Sequence, residues 1–97
     1  MLIGFIDENL IEKENTNNIK KVEIFIIHDC PWSARAVRML RTLQVAHQIK
    51  VIENDIDFKS LNKITNYTSF PQIFINGEFI GGYSELTELH ISGKLIN

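Results

Sequence analysis

The pair Asn76-Gly77 lies between two apolar segments, Pro71-Gln72-Ile73-Phe74-Ile75 and Glu78-Phe79-Ile80, and this constrains the chain more than any other feature. An Asn-Gly connection of two residues favours the type I′ turn, whose twist matches that of paired strands. The segment therefore reads as an antiparallel hairpin. Gly81-Gly82 follows as a flexible corner, and Ser84 is placed to cap a last helix carrying Leu86, Leu89 and Ile91, with Gly93 as its stop signal.

Upstream, Val22, Ile24 and Ile26 alternate with Glu23, Phe25 and Ile27, which predicts a buried strand over about Lys21 to Ile27. Ala36, Val37, Leu40 and Leu43 recur at helical intervals between Trp32 and Gln44, with Pro31 at a natural first-turn position. Gln48 to Glu53 reads as a short strand. Asp55 or Asp57 can cap a helix with Phe58, Leu61 and Ile64 on one face, ending near Asn66. Ahead of all these, Leu2, Ile3, Ile6, Leu10 and Ile11 predict a first amphipathic helix. A βαβ unit followed by a hairpin implies an α/β fold, with a four-stranded mixed sheet flanked by helices.

The 97 residues predict one domain, 1-97. Ten Lys and Arg against twelve Asp and Glu leave a net charge of -2, which argues against a dedicated nucleic-acid binder. The longest apolar run, Ile24 to Ile27, is far too short to span a membrane. One cysteine makes no internal disulfide, so a reducing compartment is expected: the cytoplasm, or an organelle matrix after removal of a presequence.

That lone thiol, Cys30, sits where the first strand meets the second helix. Free backbone N–H groups and the positive end of the helix dipole favour a thiolate there, a nucleophile or metal ligand. The alternative is a small buried hydrophobe. His28 either adds a charge beside the thiol or is a solvated loop residue. Arg35, Arg38 and Arg41 form a basic stripe on the helix, a solvated face unless Arg35 turns toward Cys30. No His/Cys cluster has zinc spacing, and Gly81-Gly82 is too short for a dinucleotide fingerprint.

Cys30-Pro31-Trp32-Ser33 together with Thr68 to Leu86, at this separation, resemble the glutaredoxin family of the thioredoxin fold, over about Lys20 to Leu95. The resemblance implies a cis peptide before Pro71, facing the cysteine, and a Phe70 backbone that pairs with glutathione like an added strand. Ser33 and the stretch Gly77 to Gly82 resemble the monothiol class, although that class has Cys-Gly-Phe-Ser where this chain has Cys-Pro-Trp-Ser. Glutathione would lie along Phe70, Pro71, Gly82, Tyr83 and Ser84. Three family contacts are altered: Ile27 replaces a lysine, Lys59 stands next to the position of another cation, and Tyr83-Ser84 replace Cys-Asp.

Three functions are implied. In the first, Cys30 of two subunits and two glutathione thiolates hold a [2Fe-2S] cluster in a bridged homodimer that serves iron-sulfur client proteins. In the second, Cys30 is the catalytic thiol of a glutathione-dependent oxidoreductase acting on glutathionylated proteins. In the third, a degenerate fold serves as an interaction module through Trp32 and Tyr83.

Overall fold

The computed structural model describes residues 20–95, so the helix read at Leu2 to Ile11 lies outside the described residues. In chain order the elements are β1 (Val22–Ile26), α1 (Pro31–Thr42), β2 (Gln48–Val51), α2 (Asp55–Thr65), β3 (Gln72–Ile75), β4 (Glu78–Gly81) and α3 (Tyr83–Ile91). The strands form one four-stranded sheet in the order β2-β1-β3-β4. β1 and β2 are parallel, with Glu23 opposite Gln48 and Ile26 opposite Val51. β3 runs antiparallel to β1, placing Ile24 opposite Ile73, and β4 antiparallel to β3. This is the mixed sheet that the sequence predicts.

Alternation along the strands separates two faces. On one, Val22, Ile24 and Ile73 are buried with Ala36, Val37 and Leu40 of α1, Leu86 of α3, and Leu95. On the other, Phe25 meets Phe74 edge-on at 5.5 Å, Phe79 stands 5.4 Å from Phe74, and Tyr67 stands 5.3 Å from Phe79. Glu23 on this second face accepts a hydrogen bond from Lys50 Nζ at 2.9 Å, tying β1 to the edge strand β2.

The hairpin forms as its turn residues require. Asn76 and Gly77 have φ of 54° and 84°, the positive values of a type I′ turn. Asn76 also anchors the turn to β1: its N–H donates to Lys21 O at 2.8 Å, and its Oδ1 accepts from Lys21 N–H at 2.8 Å.

Two caps differ from the sequence reading. Asn54, not Asp55 or Asp57, caps α2, because its Oδ1 accepts from Asp57 N–H at 2.9 Å while Asp55 and Asp57 lie inside the first turn. Gly82, not Ser84, begins α3, with Glu85 reaching back so that Oε1 accepts the Gly82 N–H at 2.8 Å. The Gly81-Gly82 corner is buried rather than loose, and Gly81 completes β4 with a φ of 124°.

Candidate functional site around Cys30

After β1 the chain turns through His28 and Asp29, where Asp29 adopts a left-handed φ of 57°. Aspartate tolerates that region better than most residues. The turn delivers Cys30 as the N-cap of α1, and Pro31 follows at the first helical position, where its missing N–H costs no bond. Cys30 thus takes the place that Ser, Thr, Asp or Asn usually hold, and its Sγ accepts the Ser33 N–H at 3.4 Å. The sulfur lies where the first-turn N–H groups and the positive end of the helix dipole point.

On its other side the Cys30 thiol donates to the carbonyl oxygen of Phe70 at 3.8 Å. The peptide between Phe70 and the buried Pro71 is cis, as the resemblance implies. Gly82 closes against the same loop: a Cβ there would lie 2.9 Å from the Tyr67 hydroxyl and 3.2 Å from the Pro71 carbonyl oxygen. Only glycine admits this approach without displacement.

The loop itself is held from beneath by a side chain that sequence reasoning passes over. Gln72 is fully buried; its Nε2 donates to Tyr67 O at 2.9 Å and to Ser69 O at 3.1 Å, and its Oε1 accepts from Thr65 Oγ1 at 2.9 Å. One amide thereby bonds two loop carbonyls; Asn62 Nδ2 also donates to Tyr67 O at 3.0 Å, so Ser69 O is the one that depends on Gln72 alone. A glutamine inside an apolar strand, beside a proline, is the signal that could have revealed it.

Around the thiol the surface divides. A shallow cleft of about 550 Å³ runs past Ile27, His28, Asp29, Cys30, Pro31 and Ser33. The Ser33 hydroxyl is buried and has no hydrogen-bond partner among the described residues. His28 Nε2 lies 3.6 Å from Glu53 Oε2 with both side chains about two-thirds exposed, which matches the solvated-loop reading of this histidine. On the α3 side, Trp32 is 51 % exposed and meets Tyr83 at 5.5 Å with the rings tilted by 47°, and the Arg35 guanidinium lies 4.9 Å from the indole centroid.

The residues Val22 to Ile80 match the family model for glutaredoxin, more than half of the chain. The chain belongs to the glutaredoxin family. Its relatives include a mitochondrial monothiol glutaredoxin of Oryza sativa subsp. japonica, 42% identical over 68% of this chain and 36% of that protein. A probable monothiol glutaredoxin of Rickettsia felis is 36% identical over 88% of this chain and 86% of its own length. This chain therefore spans about a third of the rice relative and most of the rickettsial one. Among solved structures, a buckwheat glutaredoxin in complex with glutathione superposes with a TM-score of 0.71 at 24% identity, covering 89% of this chain and 82% of that one. The fold is thioredoxin-like, and Cys30, the lone cysteine, makes this glutaredoxin a monothiol one.

Of the residues singled out in the sequence, this glutaredoxin brings Phe70, Pro71 and Gly82 to the Cys30 side of the sheet and sets Tyr83 against Trp32. Lys59 and Ser84 are exposed, and among the described residues neither side chain makes a hydrogen bond or ion pair. Phe58, beside Lys59, stands 6.1 Å from Phe70, which places that part of α2 next to the loop. None of the described helices is long and apolar enough to cross a membrane.

Proposed function

We propose that this glutaredoxin is a glutathione-dependent thiol-disulfide oxidoreductase that removes glutathione from protein mixed disulfides by a monothiol mechanism. The observation that carries the reading is Cys30 Sγ at the start of α1, accepting the Ser33 N–H on one side and facing the Phe70 carbonyl on the other. The Cys30 thiolate attacks the glutathione sulfur of the mixed disulfide. The old S–S bond breaks, the client thiolate departs and takes a proton from water, and glutathione remains on Cys30. A second glutathione thiolate attacks that glutathione sulfur, restoring the Cys30 thiolate and releasing oxidised glutathione. With serine at position 33 no second thiol competes for the intermediate.

Glutathione is the proposed ligand, held along Phe70, Pro71, Gly82, Tyr83 and Ser84, with Lys59 as the cation for a carboxylate. The backbone of Phe70 is free of β-sheet pairing and offers strand-like hydrogen bonds to a peptide ligand. The complex solved for the buckwheat relative supports this choice. A reducing compartment, cytosol or organelle matrix, suits a protein that works through one free thiol, and the name of the rice relative is in keeping with the second.

A second reading, a [2Fe-2S] carrier, is favoured by the monothiol relatives and by Ser33. One chain supplies a single thiolate, and among the described residues no group of three His, Cys, Asp or Glu converges. The donor set fits only as a shared one, Cys30 from each of two copies plus two glutathione thiolates, which together would hold both irons. Bound there, the cluster would be cargo for iron-sulfur clients.

The experiment is turnover of a glutathionylated peptide with glutathione present, run beside anaerobic reconstitution with iron, sulfide and glutathione. Peptide release that vanishes in Cys30→Ser supports the exchange enzyme. A dimeric absorbing species with no peptide turnover would replace it by the carrier.

A further inference from the structure

Between α1 and α3 runs a groove of about 460 Å³ bordered by Arg35, Arg38, Met39, Leu43, Tyr83 and His90. Its charge is of one sign. Helix α1 contains no acidic residue at all. The two glutamates of α3 are turned elsewhere: Glu85 is held by the Gly82 N–H, and Glu88 borders a separate hollow with Ile80 and Leu89. Among the described residues neither Arg35 nor Arg38 forms an ion pair. In a chain of net charge -2 this is a local concentration of cation against the overall balance.

The groove shares no lining residue with the cleft at Cys30, and Trp32, in contact with Tyr83 and Arg35 of the groove, links the two. Trp32 is two residues beyond Cys30 and meets Tyr83, which directly follows Gly82, with the rings tilted by 47°, and the Arg35 guanidinium lies over the indole. Met39 and Leu43 give the floor an apolar strip. We propose that this groove receives an acidic segment of the glutathionylated client protein, so that carboxylates on Arg35 and Arg38 orient the mixed disulfide toward Cys30. The proposal rests on the exchange reading and adds the substrate class. Charges at the edge of an interface act mainly by steering encounter and excluding like-charged partners. The expected preference is about tenfold in kcat/KM at low salt, falling toward unity as salt screens it.

The test uses peptides bearing one glutathionylated cysteine flanked by aspartates, serines or lysines. The order expected at low salt is aspartate, then serine, then lysine, reversed in the double variant Arg35→Glu/Arg38→Glu. Arg41→Glu, which alters net charge outside the groove, should keep the original order. Equal rates for all three peptides, or a reversal by Arg41→Glu, would overturn the proposal while leaving the exchange reading intact. If no peptide and no small glutathionylated disulfide is turned over, the exchange reading fails, and the groove is judged by binding alone. Trp32 is the sole tryptophan and reports on it directly. An aspartate-rich peptide without cysteine should then give a saturable fluorescence change that Arg35→Glu/Arg38→Glu removes. No change, or a stronger response to a single-stranded oligonucleotide, would overturn the assignment to an acidic protein segment.

Discussion

The thiol of Cys30 and the carbonyl oxygen of Phe70, 40 residues apart in the chain, lie 3.8 Å from each other. This contact joins the two halves of the site: the start of α1, which presents the sulfur, and the loop before β3, whose Phe70 lies outside the β-sheet pairing. Neither half is useful alone. A sulfur without the loop has nothing to align an incoming disulfide, and alignment of reacting atoms supplies much of the advantage of a bound reaction over one in solution.

Gln72 should be the polar residue whose loss most disturbs the site. Replacing it by Leu leaves Ser69 O without its donor, while Tyr67 O keeps the Asn62 Nδ2 donor at 3.0 Å, and an unsatisfied part-buried group costs about 1–3 kcal/mol. Urea unfolding of Gln72→Leu should show a loss of that order, and glutathione affinity should fall with it. Gln72→Glu keeps the size and the acceptor but removes both donors, so it should not rescue either quantity. A Gln72→Leu protein with unchanged stability would mean that water takes over the Ser69 carbonyl.

Much of this arrangement is legible in the residues, and what is not has identifiable causes. The hairpin shows because few pairs other than Asn76-Gly77 take two positive φ angles readily, and Cys30 shows because Pro31 marks the start of a helix. The caps at Asn54 and Gly82 are hidden by competition from Asp55, Asp57 and Ser84: at α2 the choice falls to the side chain that reaches the Asp57 N–H, and at α3, where Gly82 has no side chain, to the Glu85 carboxylate reaching back to the Gly82 N–H. Gln72 resembles a solvent-facing strand residue until the loop it supports is folded over it. The cluster of Arg35, Trp32 and Tyr83 joins two helices distant in sequence, so helical spacing alone cannot reveal it.

Gly82 carries a packing prediction. A Cβ at Gly82 would lie 2.9 Å from the Tyr67 hydroxyl and 3.2 Å from the Pro71 carbonyl oxygen, so Gly82→Ala meets a steric cost there. Forcing a methyl group into such a space typically costs about 1–3 kcal/mol. Tyr67→Phe removes the nearer of the two atoms. Thermal unfolding should therefore show that the double variant regains part of the stability lost by Gly82→Ala alone.

Acid should weaken the edge of the sheet through Glu23. The hydrogen bond from Lys50 holds its carboxyl below the ordinary glutamate value of 4.5, with the charges of Lys21 and Lys50 adding to the effect and partial burial opposing it. A carboxyl lowered in the folded state stabilises at pH values above its unfolded pKa, and that contribution is lost as pH falls through the folded value. Lys50 is 46% exposed, so the contribution is below about 1 kcal/mol. Lys50→Met should be slightly less stable than the original protein at neutral pH, and the difference should disappear in acid. A difference that persists after full protonation would assign the effect to the Lys50 ammonium, 5.6 Å over the Phe25 ring, instead.

Ile27 carries the last prediction, on the affinity for glutathione. It is half-buried beside Cys30 and borders the cleft with His28 and Asp29, at the position where the family resemblance calls for a lysine that holds a carboxylate. An apolar side chain there offers a glutathione carboxylate nothing, whereas a charged hydrogen bond contributes about 1.5–3 kcal/mol. Ile27→Lys should therefore tighten glutathione binding by roughly 10–100-fold. Calorimetry in a Cys30→Ser background measures this without covalent exchange, and Ile27→Met controls for side-chain length without charge. Should Ile27→Lys bind no more tightly than Ile27→Met, the carboxylate already has its cation, and Lys59→Met would then lose the affinity that Ile27→Lys failed to add, because Lys59 is the cation on α2 nearest to the Phe58–Phe70 contact.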